Sequence, residues 1–137
     1  MEPEQHQRPV PSPCWTTGPF WEAARNRQLV LQYDPVAERY QFWPRPASVA
    51  TGKSDLQWRP ASGKGQLYSY TIAMMPAAGF EGRGQYLVGL IELDEGVRMI
   101  ANLIGIDSST VRIGMRVKVA WETLTPEINF PAFEPDD

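Results

Sequence analysis

The sequence predicts a mainly β protein, in which a five-stranded barrel follows an N-terminal helix and a small β knuckle. Three observations carry this prediction. The 137 residues include 13 prolines and 11 glycines, which interrupt helices and favour short strands joined by turns. One short segment near the N-terminus combines helix-start signals with an apolar face. The second half of the chain then alternates apolar and polar residues between turn signals, as half-buried strands do.

Composition divides the chain into three parts. Residues 1–16 form a proline-rich arm, residues 17–60 form the helix and the knuckle, and residues 61–137 form the barrel. The arm is either a disordered leader or a segment that packs on a partner subunit. The residues that it offers for such packing are Val10, Cys14 and Trp15.

The helix is predicted over residues 18–28. Pro19 suits the first turn, where a missing backbone N–H costs no hydrogen bond. Glu22 is placed toward the positive N-terminal end of the helix dipole, and Arg25 toward the negative end. Helical spacing puts four residues on one face, with Trp21 beside them: Phe20, Ala23, Ala24 and Arg27.

Eight strands are predicted from the alternation and the turn signals. Three belong to the knuckle, at residues 29–33, 39–43 and 56–60. Five belong to the barrel, at residues 66–72, 85–93, 97–104, 117–122 and 128–133. The turn at 94–96 joins two of them and is the strongest hairpin signal in the chain. The barrel segment has five strands, and at most one short helical turn precedes the fourth of them. This pattern indicates a small closed barrel of the oligonucleotide-binding type, the OB-fold.

Composition and charge exclude several classes of protein. No apolar run approaches the ~20 residues of a transmembrane helix, and the first residues lack the basic start and the apolar stretch of a signal peptide. The formal net charge is −3 and the basic residues are scattered, which disfavours nucleic-acid binding. The single cysteine forms neither an internal disulfide nor a cysteine-based zinc site. We therefore expect a cytoplasmic protein.

Residues that often carry catalysis do not form a catalytic set in this sequence. Cys14 lies in the arm, and the one histidine, His6, lies near the N-terminus. Asp94 and Glu95 occupy a hairpin turn, where solvated carboxylates are the rule. The glycines of the long loop at 76–84 precede no helix, so they do not form a phosphate loop. We therefore expect that this chain is not itself an enzyme.

The order and spacing of six segments carry a family resemblance. The segments are residues 20–22, 29–32, 42–46, 62–71, 88–96 and 112–115. Together they resemble the domain-of-unknown-function family thirty-five over about residues 17–133. Members of that family join an N-terminal helix, a rubredoxin-like zinc ribbon and a C-terminal OB-fold. The resemblance therefore implies the same order of elements here.

The zinc positions depart from that family. Its ligands come as two Cys-x-x-Cys pairs, and the resemblance places these pairs on Asp34 and Ala37 and on Ser48 and Thr51. None of the four residues is cysteine, so we expect a metal-free knuckle without zinc. A structural zinc contributes on the order of 10 kcal/mol of folding free energy. We expect a small aromatic core, or a partner surface, to replace it: Tyr33, Tyr40, Phe42, Trp43, Leu56 and Trp58.

The resemblance also implies a function. Family members accompany thiolase-like enzymes, so the chain is expected to be an accessory subunit that docks on a thiolase, an aldolase or an acyltransferase and helps to hold acyl-CoA. The phosphates of CoA favour Arg and Lys, and its adenine favours aromatic surfaces. Residues of these types in the knuckle and the long loop are therefore the candidates for contact with CoA or the partner: Arg39, Tyr40, Phe42, Trp43, Arg45, Lys53, Phe80 and Arg83.

Two other functions stay open from the sequence. An OB barrel binds single-stranded nucleic acid when exposed aromatic rings stack on bases, and Tyr68, Tyr70 and Tyr86 are candidates for that role. The chain would alternatively be a free-standing acyl-CoA-binding protein. No tightly bound cofactor is expected, and the acyl group is open between steroid side-chain, aromatic and short-chain types.

Overall fold

A computed structural model describes residues 8–77, 79–80, 82 and 85–137. Within them the chain forms one helix, α1 (Gly18–Arg25), and eight strands. The strand bounds differ from the predicted ones by at most two residues, and the predicted mainly β class is confirmed. The strands are β1 (Val30–Asp34), β2 (Arg39–Gln41), β3 (Gln57–Pro60), β4 (Lys64–Ala73), β5 (Tyr86–Leu93), β6 (Arg98–Asn102), β7 (Arg116–Thr123) and β8 (Asn129–Pro135).

Helix α1 ends three residues earlier than the sequence predicts. Asn26 caps it with a backbone N–H bonded to the Ala23 carbonyl, and Arg27 then adopts a φ of 57°. A residue in this left-handed region ends a helix. Glu22 falls in the second turn, so it does not face the N-terminal amide groups as predicted. The side chains that anchor the helix are buried: Phe20, Trp21 and Ala24.

The knuckle is a three-stranded antiparallel sheet in the order β2-β1-β3. Tyr33 pairs with Tyr40 across β1 and β2, and their rings lie 4.8 Å apart. The Arg59 guanidinium of β3 stacks 3.6 Å from the centre of the Tyr33 ring. The same register sets Gln32 opposite Gln41, and both side chains are buried. Their placement bears directly on the site described below.

The barrel is a five-stranded antiparallel sheet in the order β6-β5-β4-β7-β8. A register shift between Leu67 and Ser69 bends the long strand β4, which pairs with both β5 and β7. A parallel bridge from Leu103 to Phe133 nearly closes the sheet on itself. Inward-facing residues of four strands fill the interior and are fully buried: Leu67, Ile91, Val117 and Phe133. This is the OB-fold arrangement that the strand count predicts.

The helix connects the knuckle to the barrel, because it packs against both β1 and β8. Asn129, at the start of β8, donates hydrogen bonds of 3.1 Å to the carbonyl groups of Ala24 and Arg25. These bonds satisfy orphan carbonyls at the C-terminal end of α1. In the described ranges, no helix has the length and apolarity needed to cross a membrane.

The described part of the arm is held by Arg8. Its guanidinium pairs with Glu122 on β7 and lies 4.6 Å from the centre of the Phe80 ring. The apolar residues predicted to pack on a partner are all exposed: Val10, Cys14 and Trp15. The predicted catalytic candidate His6 lies outside the described residues.

Candidate functional site

A cleft of about 580 Å³ lies between the knuckle and the β5–β6 hairpin of the barrel. It brings together four of the predicted binding residues, Arg39, Tyr40, Phe42 and Arg45. Its volume falls in the range of small-molecule sites, roughly 300–1,000 Å³. We call it the arginine cleft, because three arginines line it: Arg39, Arg45 and Arg98. Its other lining residues include Asp34, Tyr40, Phe42 and Glu92.

Two buried glutamines fix the knuckle wall of this cleft. The Gln32 amide donates to the Arg45 carbonyl and its oxygen accepts from the Arg45 N–H, both at 2.8 Å. Gln41 donates to the Gln32 oxygen at 2.9 Å and accepts from the Val49 N–H at 2.9 Å. A satisfied buried polar network of this kind holds one conformation. The loop that carries Arg45 is therefore tied to strands β1 and β2.

A second network occupies the positions where the family resemblance places zinc ligands. The Asp34 carboxylate accepts hydrogen bonds from the Ser48 hydroxyl and, at 2.9 Å, from the Thr51 hydroxyl. It also accepts from the N–H groups of Val36 and Ala37, at 2.8 and 3.1 Å. Together, Asp34, Ser48 and Thr51 therefore join both loops of the knuckle, as a metal would. We call this set of three residues the Asp34 cluster.

The residues at these positions do not fit zinc. Ala37 has no donor atom, and the one carboxylate of the Asp34 cluster is already engaged by four hydrogen bonds. In the part of the chain that the structure describes, no three His, Cys, Asp or Glu side chains lie together as a metal site requires. The hydrogen bond from Ser48, followed by those from Ala37, Thr51 and Val36, lowers the pKa of Asp34 from 3.8 to about 2. These hydrogen bonds therefore favour the ionised form of the carboxylate.

The expected aromatic core of the knuckle is present in part, because Tyr40, Phe42 and Trp58 pack against the hydrophobic core. That this core replaces zinc stays a prediction. Hydroxyl and amide groups, rather than rings, fill the space around Asp34. Trp43 is 42% exposed, and its ring centre lies 4.9 Å from that of Phe42. Its ring lies 5.3 Å from Phe20 and 6.2 Å from Trp21 on the helix. The peptide bond that precedes Trp43 is cis.

Trp21 and Trp43 line a second cleft of about 460 Å³, which we call the aromatic cleft. It lies between α1, the loop after β2, and strands β5, β6 and β8. It shares Phe42, Arg45 and Arg98 with the arginine cleft, so the two clefts are neighbours. Its other apolar walls include Trp21, Trp43, Leu90, Ile100 and Phe130.

Charges in the arginine cleft are only partly compensated. Arg98 forms an ion pair with Glu92 at 3.0 Å and stacks 3.7 Å above the Tyr68 ring. The Asp34 carboxylate is taken up by its own hydrogen bonds. Among the described residues, neither Arg39 nor Arg45 has an ion-pair partner. The cleft therefore offers two uncompensated guanidinium groups, which suit phosphate or carboxylate.

The other predicted binding residues are not brought to this cleft. Lys53 is exposed outside it. Phe80 stacks on Tyr86 with ring centres 4.8 Å apart, beside Arg8. Arg83 lies outside the described residues. Because Phe80 covers one face of Tyr86 and Arg98 covers one face of Tyr68, two of the three tyrosines proposed for base stacking are already engaged.

The candidate catalytic groups are accounted for by local contacts. A hydrogen bond with the Thr17 hydroxyl lowers the pKa of the exposed Cys14 thiol. Asp94 forms a double hydrogen bond with Arg116, both at 2.9 Å. Glu95 accepts a 2.9 Å hydrogen bond from the Ser62 N–H. Asp94 therefore holds the hairpin to β7, and Glu95 holds it to the segment between β3 and β4.

Sequence reasoning missed four residues of the site. Gln32 and Gln41 are polar residues at inward-facing strand positions, and this break in the pattern was the available signal. Glu92 and Arg98 flank the predicted β5–β6 turn, and their pairing across it follows from the hairpin register. Their position opposite the knuckle depends on the tertiary packing, which no local pattern reveals.

Comparison with known sequences finds relatives in several organisms. Residues 58–122 match the family model for the ChsH2 C-terminal OB-fold domain. The chain is 39% identical over 118 residues to a probable enoyl-CoA hydratase alpha subunit of Thermomonospora curvata. The matched region covers 85% of this chain and 36% of that protein. It is 30% identical over 139 residues to the 3-oxo-4,17-pregnadiene-20-carboxyl-CoA hydratase alpha subunit of Mycobacterium tuberculosis, covering 42% of it. The chain thus spans less than half of each of these two relatives.

Two relatives are covered more fully. A DUF35 domain-containing scaffold protein of Pyrococcus furiosus is 31% identical over 100 residues, which cover 73% of this chain and 74% of that protein. A chain of the solved Ltp2-ChsH2(DUF35) aldolase superposes with a TM-score of 0.82 at 35% identity, covering 92% of this chain and 98% of that one. Because the similarity extends along most of its length, the chain belongs to the DUF35 family, the same family that its six sequence segments resemble.

Proposed function

We propose that this chain is an accessory subunit of a thiolase-like complex that acts on acyl-CoA. The observation that carries the proposal is its similarity to the chain of the Ltp2-ChsH2(DUF35) aldolase, 98% of which it covers. The names of two further relatives include acyl-CoA compounds, and three other relatives are named scaffold proteins. A scaffold that assists an acyl-CoA enzyme is consistent with all of these descriptions.

The catalytic residues of the complex are assigned to the partner. In this chain Cys14 is exposed near the N-terminus, and Asp94 and Glu95 are held by Arg116 and Ser62. None of these three residues is among the described residues that line the arginine cleft. A nucleophile needs a base within hydrogen-bond reach. We therefore propose a binding and stabilising role, without a catalytic residue or a tightly bound cofactor.

The arginine cleft is the proposed site for the CoA phosphates. Arg39 and Arg45 provide guanidinium groups that have no ion-pair partner in the described part of the chain, and Tyr40 and Phe42 provide ring surfaces for the adenine. A fork of N–H donors binds a phosphate with two parallel hydrogen bonds, which favours Arg over Lys at such a site. Lys53, Phe80 and Arg83 stay predictions for contacts with the partner or with more distant parts of CoA.

The first test is to tag the chain in its native host and identify what copurifies by native mass spectrometry. Copurification of a thiolase-like subunit in stoichiometric amount supports the accessory role. The enzymatic activity of the purified complex on acyl-CoA substrates is then assayed with and without this chain. Recovery of the chain alone contradicts the accessory role. Titration with CoA thioesters and with single-stranded oligonucleotides then decides between the free acyl-CoA carrier and the nucleic-acid module.

A further inference from the structure

We propose that the catalytic partner adds an extended strand to the open edge of β6, and that this strand fills the aromatic cleft. The inference rests on the proposed accessory role and goes beyond it by naming the docking surface and the kind of contact. The strand is held by main-chain hydrogen bonds to β6 and by apolar side chains in the cleft. Strand addition of this kind is a recurring mode of peptide recognition.

The edge of β6 is open because alternate residues of this strand point away from β5. The order of the barrel sheet places β6 at one end, beside β5. The Leu103 N–H donates to the Leu87 carbonyl at 3.1 Å, so the odd-numbered residues of β6 form the hydrogen-bonded pairs with β5. The even-numbered residues Arg98, Ile100 and Asn102 therefore direct their N–H and C=O groups away from β5. In the described ranges, no other backbone group pairs with them.

The opposite edge of the sheet, on β8, is protected by proline. The Phe133 carbonyl accepts a 2.9 Å hydrogen bond from the Ile104 N–H just beyond β6, so the odd-numbered residues of β8 face the β6 side. Two of these residues are Pro131 and Pro135, which have no N–H to leave unpaired. Proline at an edge discourages pairing with another strand. Strand β6 contains no proline, so it is the edge that accepts a strand.

The space beside this edge suits a single strand. Paired strands lie about 4.8 Å apart, and the aromatic cleft adjoins β6, with Ile100 in one wall and Trp21, Phe130 and Pro131 in the other. Because the cleft has walls on both sides, a strand that enters it must be free along both of its own edges. A second copy of β6 does not meet this condition, since β5 covers its other edge. The occupant is therefore one extended segment rather than the edge of another barrel.

The walls of the cleft determine which segment fits. Trp43 and Ile100 remain 42% and 69% exposed, so they offer apolar surface to the alternate side chains of a strand. Arg98 donates to Glu92 through Nε, and its terminal nitrogens have no acceptor among the described residues. The described walls include two arginines, Arg45 and Arg98, and no carboxylate. Charge complementarity therefore favours an apolar segment with an acidic residue near Arg98 and disfavours a basic segment.

The catalytic partner is the source of this segment that agrees with the proposed function. Arm residues 8–16 are absent from the described walls of the cleft, and Arg8 is anchored on β7 instead. The aromatic cleft and the arginine cleft share Phe42, Arg45 and Arg98. A partner docked in the aromatic cleft therefore lies beside the proposed phosphate site, so the pantetheine arm of CoA can extend toward the partner's catalytic residues.

The variant Ile100→Pro tests strand addition by removing one outward N–H. Proline is tolerated at an edge position whose N–H faces solvent, so the pairing of β6 with β5 is retained. Native mass spectrometry first identifies the catalytic subunit that copurifies with the wild type, and biolayer interferometry then measures its affinity for each variant. We expect Ile100→Pro to bind at least about tenfold more weakly, because a hydrogen bond is lost and the ring obstructs the incoming strand. Ile100→Val retains the N–H and should stay within about threefold of the wild type.

Ile113→Pro is the matched control for the same change of residue. Ile113 is 60% exposed and precedes Gly114, whose φ is 86°, in a turn closed by the hydrogen bond from the Met115 N–H to the Arg112 carbonyl. Proline is favoured at this position of such a turn, so the control should retain both the fold and the partner affinity. Titration with free CoA checks the fold of Ile100→Pro, because Ile100 is absent from the described walls of the arginine cleft.

Amide hydrogen exchange gives a readout that apolar docking alone would not produce. The Met99 N–H is bonded to β5, so it should be protected in the free chain and in the complex. The Ile100 N–H should exchange rapidly in the free chain and become protected when the catalytic subunit binds. A photoreactive residue in place of Ile100 then identifies the docked segment by cross-linking and peptide mass spectrometry.

The contrary outcomes separate this inference from the accessory role. Equal affinity of the wild type and Ile100→Pro for the catalytic subunit overturns strand addition, and so does an Ile100 amide that the complex leaves unprotected, while the accessory role stands in both cases. Cross-linking to residues 1–7 of this chain, or to a second copy, overturns the partner as the occupant. Recovery of the wild type without any catalytic subunit overturns the accessory role together with this inference.

Discussion

The Ser48 hydroxyl donates a hydrogen bond to the Asp34 carboxylate, and this bond joins the two loops of the knuckle. Both residues stand at positions where the family resemblance places cysteine ligands of zinc. A buried carboxylate with four hydrogen bonds here performs the connecting task of a metal ion. These hydrogen bonds therefore cross-link the two loops of the knuckle.

Removal of the Asp34 carboxylate is expected to destabilise the protein. Asp34→Ala leaves the Ser48 and Thr51 hydroxyls and two backbone N–H groups without their common acceptor, so we expect Tm to fall by at least about 5 °C. Asp55→Ala, at an exposed carboxylate of the same knuckle, is the control and should leave Tm unchanged. Thermal unfolding with and without a chelator completes the test. A stoichiometric zinc content, or a chelator that lowers Tm as far as the substitution does, contradicts the metal-free cross-link.

Acid should weaken this cross-link in a defined direction. The hydrogen bond from Ser48, with those from Ala37, Thr51 and Val36, holds the pKa of folded Asp34 at about 2, below its ordinary 3.8. A depressed pKa in the folded state means that the contribution to stability is complete above about pH 4 and disappears as the pH falls toward 2. We expect the Tm difference between the wild type and Asp34→Asn to be constant from neutral pH to about pH 5 and to shrink below pH 4. A difference that stays constant down to pH 2 would show that ionisation of this group does not matter.

Much of the fold was predictable because alternation and turn residues act locally. The hairpin between β5 and β6 and the positions of all eight strands along the chain follow from such patterns. The resemblance also identified Asp34 and Ser48 as departures from the zinc pattern. It did not reveal the hydrogen bond between them, since both positions were considered only as replaced zinc ligands and the two residues are 14 positions apart in the chain. Arg98 was missed for a related reason, because its position in the cleft depends on how the barrel packs on the knuckle.

Arg39 and Arg45, which have no ion-pair partner among the described residues, make separate contributions to the proposed CoA site. We expect Arg39→Ala and Arg45→Ala each to weaken binding of free CoA by about tenfold, as loss of a charge-assisted hydrogen bond does. Arg25→Ala removes an equally exposed guanidinium at the end of α1, outside the described cleft walls, and is the control. Titration at two salt concentrations gives the readout. CoA affinity that both cleft variants retain in full would rule out the arginine cleft as the phosphate site.

Glycine is required in the barrel where strands approach each other closely. A Cβ at Gly65 would lie 2.3 Å from the Glu92 carbonyl oxygen, and a Cβ at Gly89 would lie 2.8 Å from the Leu103 side chain. Backbone moves less readily than a side chain, so we expect Gly65→Ala to cost more than about 2 kcal/mol of unfolding free energy and Gly89→Ala about 1 kcal/mol less. Gly18→Ala meets no atom within 4 Å and is the control. Urea unfolding of the three variants should give this order, and equal losses at Gly65 and Gly18 would contradict the close approach of β4 and β5.

The attachment of α1 to the barrel depends on a donor that only an amide supplies at this position. Asn129 donates to two carbonyl groups at the end of the helix, both at 3.1 Å, and is 9% exposed. Asn129→Asp keeps the shape of the side chain but places a carboxylate oxygen, which only accepts hydrogen bonds, against the two helix carbonyl groups. We therefore expect the free energy of unfolding to fall by at least about 3 kcal/mol, more than the roughly 2 kcal/mol expected for Asn129→Ala. Asn26→Asp removes the exposed amide bond to the Glu22 carbonyl and is the matched control. Because Trp21 and the loop carrying Trp43 pack together, loosening of α1 should also change tryptophan fluorescence before global unfolding. If Asn129→Asp is as stable as the wild type, the helix is held by its apolar face alone.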